Sequence, residues 1–305
     1  MNIVKLGTRS SPLALWQAEH VRDTLQAAHS DCKVELVHIK TEGDKILTAS
    51  LAQIGGKGVF VKEIEEALSD GRIDLAVHSA KDLPTELPDG LTLSTIPDRA
   101  DPHDVILTRE PLEFADIPKG ACLATGSLRR QSQLASARPD LTFCEFRGNL
   151  ETRYQKFLES DTAALVLARA GVDRLEWSDR PYSILPYEVC LPAVGQGALA
   201  IEIREDNTNI RTLLEPLHHA DTAAAIAAER GFLSGLGGGC QAPIAALGTV
   251  DGDSITLQGR VLAPDGTRTV QGDISGVTTD AAQLGGELAR MLLEQGAADI
   301  LAELE

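Results

Sequence analysis

Over the first two-thirds of this chain, short apolar runs of strand length alternate with stretches of helical period, and that alternation restricts the fold more than any single motif does. Residues 3–6 read as a strand. A helix follows from Pro12 to about Ala28, with Leu13, Trp16, Val21 and Leu25 on one face and Ser11-Pro12 as its start. Residues 33–39 form the next strand. A second helix opens at Gly55-Gly56-Lys57-Gly58 and turns Val59, Ile64, Ala67 and Leu68 inward, and residues 73–78 make a third strand. Strand and helix in repeated succession are the grammar of an α/β layer with a mainly parallel sheet.

The stretch Ile96-Pro97-Asp98-Arg99-Ala100-Asp101-Pro102 is dense in turn formers and marks a crossing into a second domain, where the same grammar repeats. Residues 121–124 feed a helix at Ser127, residues 141–146 feed another at Asn149, and residues 163–168 are a buried strand. A second punctuated stretch, Leu191-Pro192-Ala193-Val194-Gly195-Gln196-Gly197, precedes the strand-like residues 199–203. After an Ala-rich helix around residues 221–230, residues 235–240 are too glycine-dense for regular structure. Beyond them Asp251-Gly252 and Asp265-Gly266 are hairpin signals, and an amphipathic helical stretch runs from about Asp280 to Leu301. The expected architecture is two α/β lobes and a small α+β third domain. Its boundaries are 1–97 with 198–216, then 103–191, then 220–305.

At 305 residues the chain is long enough for each of these domains to bury a core, and it holds no apolar run of the roughly 20 residues a membrane span needs. The segment Met1-Asn2-Ile3-Val4-Lys5-Leu6-Gly7 reads as a first strand rather than a signal peptide, so the expected address is the cytoplasm. A formal net charge of −17, from 28 Lys plus Arg against 45 Asp plus Glu, repels phosphate backbones and argues against nucleic acid as a partner. The five cysteines are far apart and, with the seven histidines, offer no metal-ligand spacing, so no metal site is expected.

Candidate chemistry concentrates at a few places. Cys240 follows Gly237-Gly238-Gly239, where the backbone can carry a thiol close to another group; it is either a covalent attachment point or nucleophile, or a buried apolar cysteine beside a turn. His78-Ser79-Ala80-Lys81-Asp82 follows directly on a strand, the place where open α/β sheets bind ligands. There Asp82 can exchange protons or stabilise a cation beside Lys81, or the two can form a surface pair. Thr8-Arg9-Ser10-Ser11, Gly55-Gly56-Lys57-Gly58 and Thr125-Gly126-Ser127-Leu128-Arg129-Arg130 lie at strand-to-helix junctions, and Arg147 and Arg153 bracket a further helix start. Arginine at most of these points favours bidentate recognition of carboxylates, so the expected ligand carries several of them. No Walker A, full G-x-G-x-x-G or G-x-S-x-G pattern is present.

The segments Gly7-Thr8-Arg9-Ser10-Ser11-Pro12-Leu13-Ala14-Leu15-Trp16-Gln17-Ala18, Gly55-Gly56-Lys57-Gly58-Val59-Phe60, Val77-His78-Ser79-Ala80-Lys81-Asp82-Leu83-Pro84, Ser127-Leu128-Arg129-Arg130, Arg147-Gly148-Asn149, residues 191–197 and Gly238-Gly239-Cys240-Gln241-Ala242-Pro243 together resemble the porphobilinogen deaminase (hydroxymethylbilane synthase) family, in order and over nearly the whole chain. The resemblance implies two lobes like those of periplasmic binding proteins and a third domain whose cysteine, Cys240, holds a dipyrromethane cofactor through a thioether. It implies a monomer and a small-molecule substrate, porphobilinogen. Four such units are condensed with loss of ammonia and released by water as hydroxymethylbilane. On matching positions, Asp82 is implied as the catalytic carboxylate. Lys81, Asp82, Thr125, Ser127, Arg129 and Arg130 are implied as cofactor-binding groups, and Arg9, Ser11, Gln17, Lys57, Arg147, Arg153 and Arg174 as substrate-binding groups. Ala124-Thr125-Gly126-Ser127 departs from the family's usual Gly-Thr-Ser-Ser by one hydroxyl.

Two other classes compete. A non-catalytic binding protein of two lobes explains the arginines but neither Cys240 in its glycine loop nor Asp82 beside Lys81. A cysteine-dependent acyl transferase needs a base near the thiol that the sequence does not place.

Overall fold

In the computed structural model, residues 3–41, 61–237 and 242–304 are described. Strand β1 (Ile3–Thr8) leads into helix α1 (Pro12–Ala28), whose N-cap is Ser11, its hydroxyl accepting from the Ala14 amide, with Pro12 in the first turn. The inward face of α1 is Gln17, Ala18, Val21 and Leu25. Leu13 and Trp16 are half-buried, and the Trp16 ring stacks on His20 at 5.0 Å. Strand β2 (Lys33–His38) lies parallel to β1. Helix α2 (Lys62–Ser69) buries Ile64, Ala67 and Leu68 as its spacing predicts, and β3 (Leu75–Ser79) and β4 (Leu91–Thr95) follow.

After the crossing come β5 (Asp104–Leu107), β6 (Cys122–Ala124), α3 (Leu128–Ala137), β7 (Thr142–Cys144), α4 (Leu150–Leu158), β8 (Ala164–Ala168), α5 (Arg169–Arg174) and β9 (Tyr182–Leu185). Helices α3 and α4 start where capping chemistry places them: Ser127 Oγ accepts from the Arg130 amide and Asn149 Oδ1 from that of Thr152. Strand β10 (Leu199–Arg204) and helix α6 (Thr208–Leu214) precede α7 (Ala220–Gly235).

The chain divides into two compact units, Met1–Ala100 with Ala198–Ala223, and Asp101–Gly197 with Ala224–Glu305. The first holds a five-stranded sheet in the order β2-β1-β3-β10-β4 and the second one in the order β7-β6-β8-β5-β9. In each, four strands run one way and the fourth in the order, β10 or β5, runs against them. That reversed strand is the one the chain enters directly after a crossing. Both sheets are covered on two faces. In the first unit Val21, Leu25, Leu75 and Ile201 form one core, and Ile39, Ile64, Leu68 and Ile73 the other.

The second unit also contains the antiparallel sheet β11 (Ile244–Asp251), β12 (Ser254–Leu262) and β13 (Thr269–Val277), backed by α8 (Ala281–Leu292). Gly252 and Gly266, at φ +59° and +73°, make its two turns. The amphipathic stretch expected as one helix is two: Gly296 at φ 106° breaks it before α9 (Ala298–Ala302). Gly235, expected in irregular structure, closes α7 instead. A Cβ there would stand 2.7 Å from that of Ala289, so its lack of a side chain serves helix contact rather than a loop.

Candidate functional site

In the first unit, β1 and β3 are parallel neighbours, and their carboxyl ends bring together residues far apart in sequence. Strand β3 passes into a short 3-10 turn, Ala80–Asp82, held by Ala80 N–H donating to Ala198 O at 3.0 Å and anchored by the buried Leu83. Asp82 is exposed at this turn and Lys81 half-buried. From β1 come the half-buried Arg9 and the cap Ser11, whose hydroxyl oxygen is taken by the Ala14 amide. Gln17 is buried and its amide donates to Ser79 Oγ at 2.9 Å, tying α1 to the end of β3. Arg9, Ser11, Gln17, Lys81 and Asp82 therefore share one end of one sheet.

Beneath the turn, His78 Nε2 meets Glu202 Oε2 at 2.9 Å, both side chains almost wholly buried. Glu65 is buried in the same unit, and burial together with the Glu202 charge raises its pKa.

In the second unit, Thr125 and Ser127 follow β6, Arg147 follows β7 and Arg174 closes the helix after β8, three adjacent parallel strands. Thr125 is buried, its amide donates to Cys144 O at 2.8 Å and its hydroxyl accepts from the Ser127 amide at 3.2 Å. Arg147 Nη2 donates to both oxygens of Glu145 at 2.7 Å, and Arg153 Nε to Gly148 O at 2.8 Å. Arg174 Nη2 donates to Gly197 O at 2.7 Å. Burial lowers the Arg174 pKa to about 10, which still leaves it charged at neutral pH.

Arg129 and Arg130 are buried side by side on α3 and share a carboxylate that sequence reasoning missed. Arg129 Nη1 reaches Asp104 Oδ2 at 2.7 Å, and Arg130 Nη2 and Nε reach Asp104 Oδ1 at 2.7 and 2.9 Å. Burial alone would raise the Asp104 pKa; the two guanidinium charges more than reverse it and hold the group ionised. Among the described residues these two buried cations share one carboxylate, an excess of positive charge that fits a carboxylated cofactor at this point. The missed signal was an acidic residue opening the apolar run Val105-Ile106-Leu107. Burial raises the Cys190 thiol to about 12 and that of Cys144 to about 11, so both stay protonated. Lys57 and Cys240 lie outside the described residues, and no metal-binding cluster occurs among those described.

Residues 4–212 match the family model described as "Porphobilinogen deaminase, dipyromethane cofactor binding domain", and residues 223–294 match "Porphobilinogen deaminase, C-terminal domain". The chain belongs to the porphobilinogen deaminase family. Among curated porphobilinogen deaminases, that of Geobacter metallireducens is 51% identical over 301 residues, covering 99% of this chain and 94% of the relative. That of Geobacter sulfurreducens is 50% identical over 304 residues, covering 100% and 95%. Among solved structures, the VFT2 domain of Bordetella pertussis BvgS aligns over 70% of this chain and 84% of its own, with TM-score 0.42 and 16% identity.

Proposed function

We propose that this chain carries out the porphobilinogen deaminase reaction as a transferase: four porphobilinogen units are joined head to tail with loss of ammonia on a dipyrromethane primer, and water then releases hydroxymethylbilane. The observation that carries the reading is the buried Arg129–Asp104–Arg130 cluster at the carboxyl end of β6, two guanidinium groups paired to one carboxylate among the described residues. Held through a Cys240 thioether, the dipyrromethane supplies the nucleophilic pyrrole α-carbon.

The chain's own residues do the rest. Arg129, Arg130, Lys81, Thr125 and Ser127 hold the acid side chains of the primer, and Arg9, Arg147, Arg153 and Arg174, with Ser11, Gln17 and Lys57, receive those of the substrate. Asp82 stabilises the charge that develops on the substrate. As the C–N bond of the aminomethyl group breaks, its electron pair leaves with ammonia and positive charge spreads over the substrate pyrrole, where an exposed carboxylate opposes it. The same carboxylate orients pyrrole N–H groups by accepting from them and takes up the proton lost after carbon–carbon bonding.

We place the enzyme in the cytoplasm as a monomer, with folding domains 1–97 and 198–216, 103–191 and 220–305. No helix among the described residues is long and apolar enough to cross a membrane. The test is stoichiometric: purified protein given porphobilinogen should release one ammonia per unit consumed. Binding of porphobilinogen without ammonia release would overturn the reading.

A further inference from the structure

Asp104 is filled on both oxygens. Oδ1 accepts from Arg130 Nε and Nη2 and from Gln196 Nε2 at 2.9 Å, and Oδ2 accepts from Arg129 Nη1 and from the Cys190 thiol at 3.3 Å. A carboxylate so occupied fixes the planes of both guanidinium groups. The network runs on into residues 191–197. Arg129 Nη1 donates to Leu191 O at 2.7 Å, and Gln133 takes the Leu191 amide at 2.9 Å while donating to its carbonyl at 3.0 Å. Gln196 also donates to Pro102 O at 2.8 Å, tying the start of the second unit to the same point.

We propose that Asp104 is a positioning residue for the primer site: it holds Arg129 and Arg130 in one orientation with one positive charge in excess, ready for a carboxylate, and makes that readiness depend on residues 191–197 through Gln196 and Leu191. The inference rests on the reading that Arg129 and Arg130 grip the dipyrromethane. Preorganisation of this kind lowers the ordering cost of binding, so its loss shows in how readily the apoprotein loads.

The experiment loads apoprotein, produced in cells that make no porphobilinogen, with porphobilinogen and follows intact mass with time. Asp104→Glu keeps the charge balance but moves the carboxylate by a methylene. Its folded apoprotein should load at least tenfold more slowly, with a raised half-saturating porphobilinogen concentration. Gln196→Leu, which leaves all three charges in place, should load several-fold more slowly when its apoprotein is assayed well below its own urea midpoint, where it is folded. Wild-type loading by Asp104→Glu or by Gln196→Leu overturns the inference. Arg129→Met and Arg130→Met separate it from its premise: if they load normally the grip itself is wrong, and if they fail while Asp104→Glu loads normally only the positioning role falls.

Discussion

Asp82 is set by its neighbours to be exposed: Leu83 is buried, Ala80 is pinned to Ala198, and the 3-10 turn between them turns the carboxylate outward. Asp82→Asn keeps size and drops charge. It should retain the cofactor by mass while turnover falls about 100-fold or more, the cost of removing one group aimed at developing charge. Near-normal turnover would deny it the electrostatic role. Arg147 is a different case, because its pair with Glu145 is part-exposed and such pairs are worth about 0–1 kcal/mol. Arg147→Gln should leave the melting temperature almost unchanged and raise KM for porphobilinogen about tenfold; a stability loss with unchanged KM would make the pair structural.

Helices α7 and α8 approach closely because glycines stand where the backbone of one meets the other. A Cβ on Gly285 would stand 2.1 Å from Ala228 O, and one on Gly231 2.3 Å from Ala282 O. Gly285→Ala should destabilise by about 1–3 kcal/mol, the usual cost of overpacking. Gly286→Ala, with nothing within 4 Å, should be neutral or stabilise by up to about 1 kcal/mol. Equal thermal shifts in the two variants would contradict the packing account. At this scale local chemistry was legible and pairing was not. Ser11, Ser127 and Asn149 announce helix starts because a cap is made within three or four residues. Asp104 could not be matched to Arg129 and Arg130, since its strand is joined to theirs through β8, a register that no local pattern encodes. The reversed sense of β5 and β10 was likewise hidden, because direction is set by which way the chain returns and not by the apolar run itself. Gly235 misled because glycine density reads as a loop, whereas helix contact also demands glycine.

Each unit carries its own ionisable core, so stability should depend on pH in a definite way. The folded pKa of Asp104 is depressed. Its contribution is therefore complete above the ordinary carboxylate pKa of about 3.9 and is lost as pH falls below that toward the folded value. Cys190 works in the opposite sense: its folded value of about 12 lies above the ordinary thiol value of roughly 8.5, so stability is present below the latter and is lost as pH rises between them. Urea midpoints measured from pH 7 to 11 should fall for the wild type and fall less steeply for Cys190→Ala, with the remaining slope left to Cys144, whose thiol is also raised; parallel curves would assign the alkaline loss elsewhere. The central claim is that this chain builds tetrapyrrole on a primer it carries covalently. The most direct test is the intact mass of the denatured protein, because a thioether survives denaturation and a bound ligand does not. The account predicts an excess of two linked pyrroles on the Cys240 peptide, appearing in apoprotein once porphobilinogen is added. A mass equal to that of the bare sequence before and after porphobilinogen would contradict it.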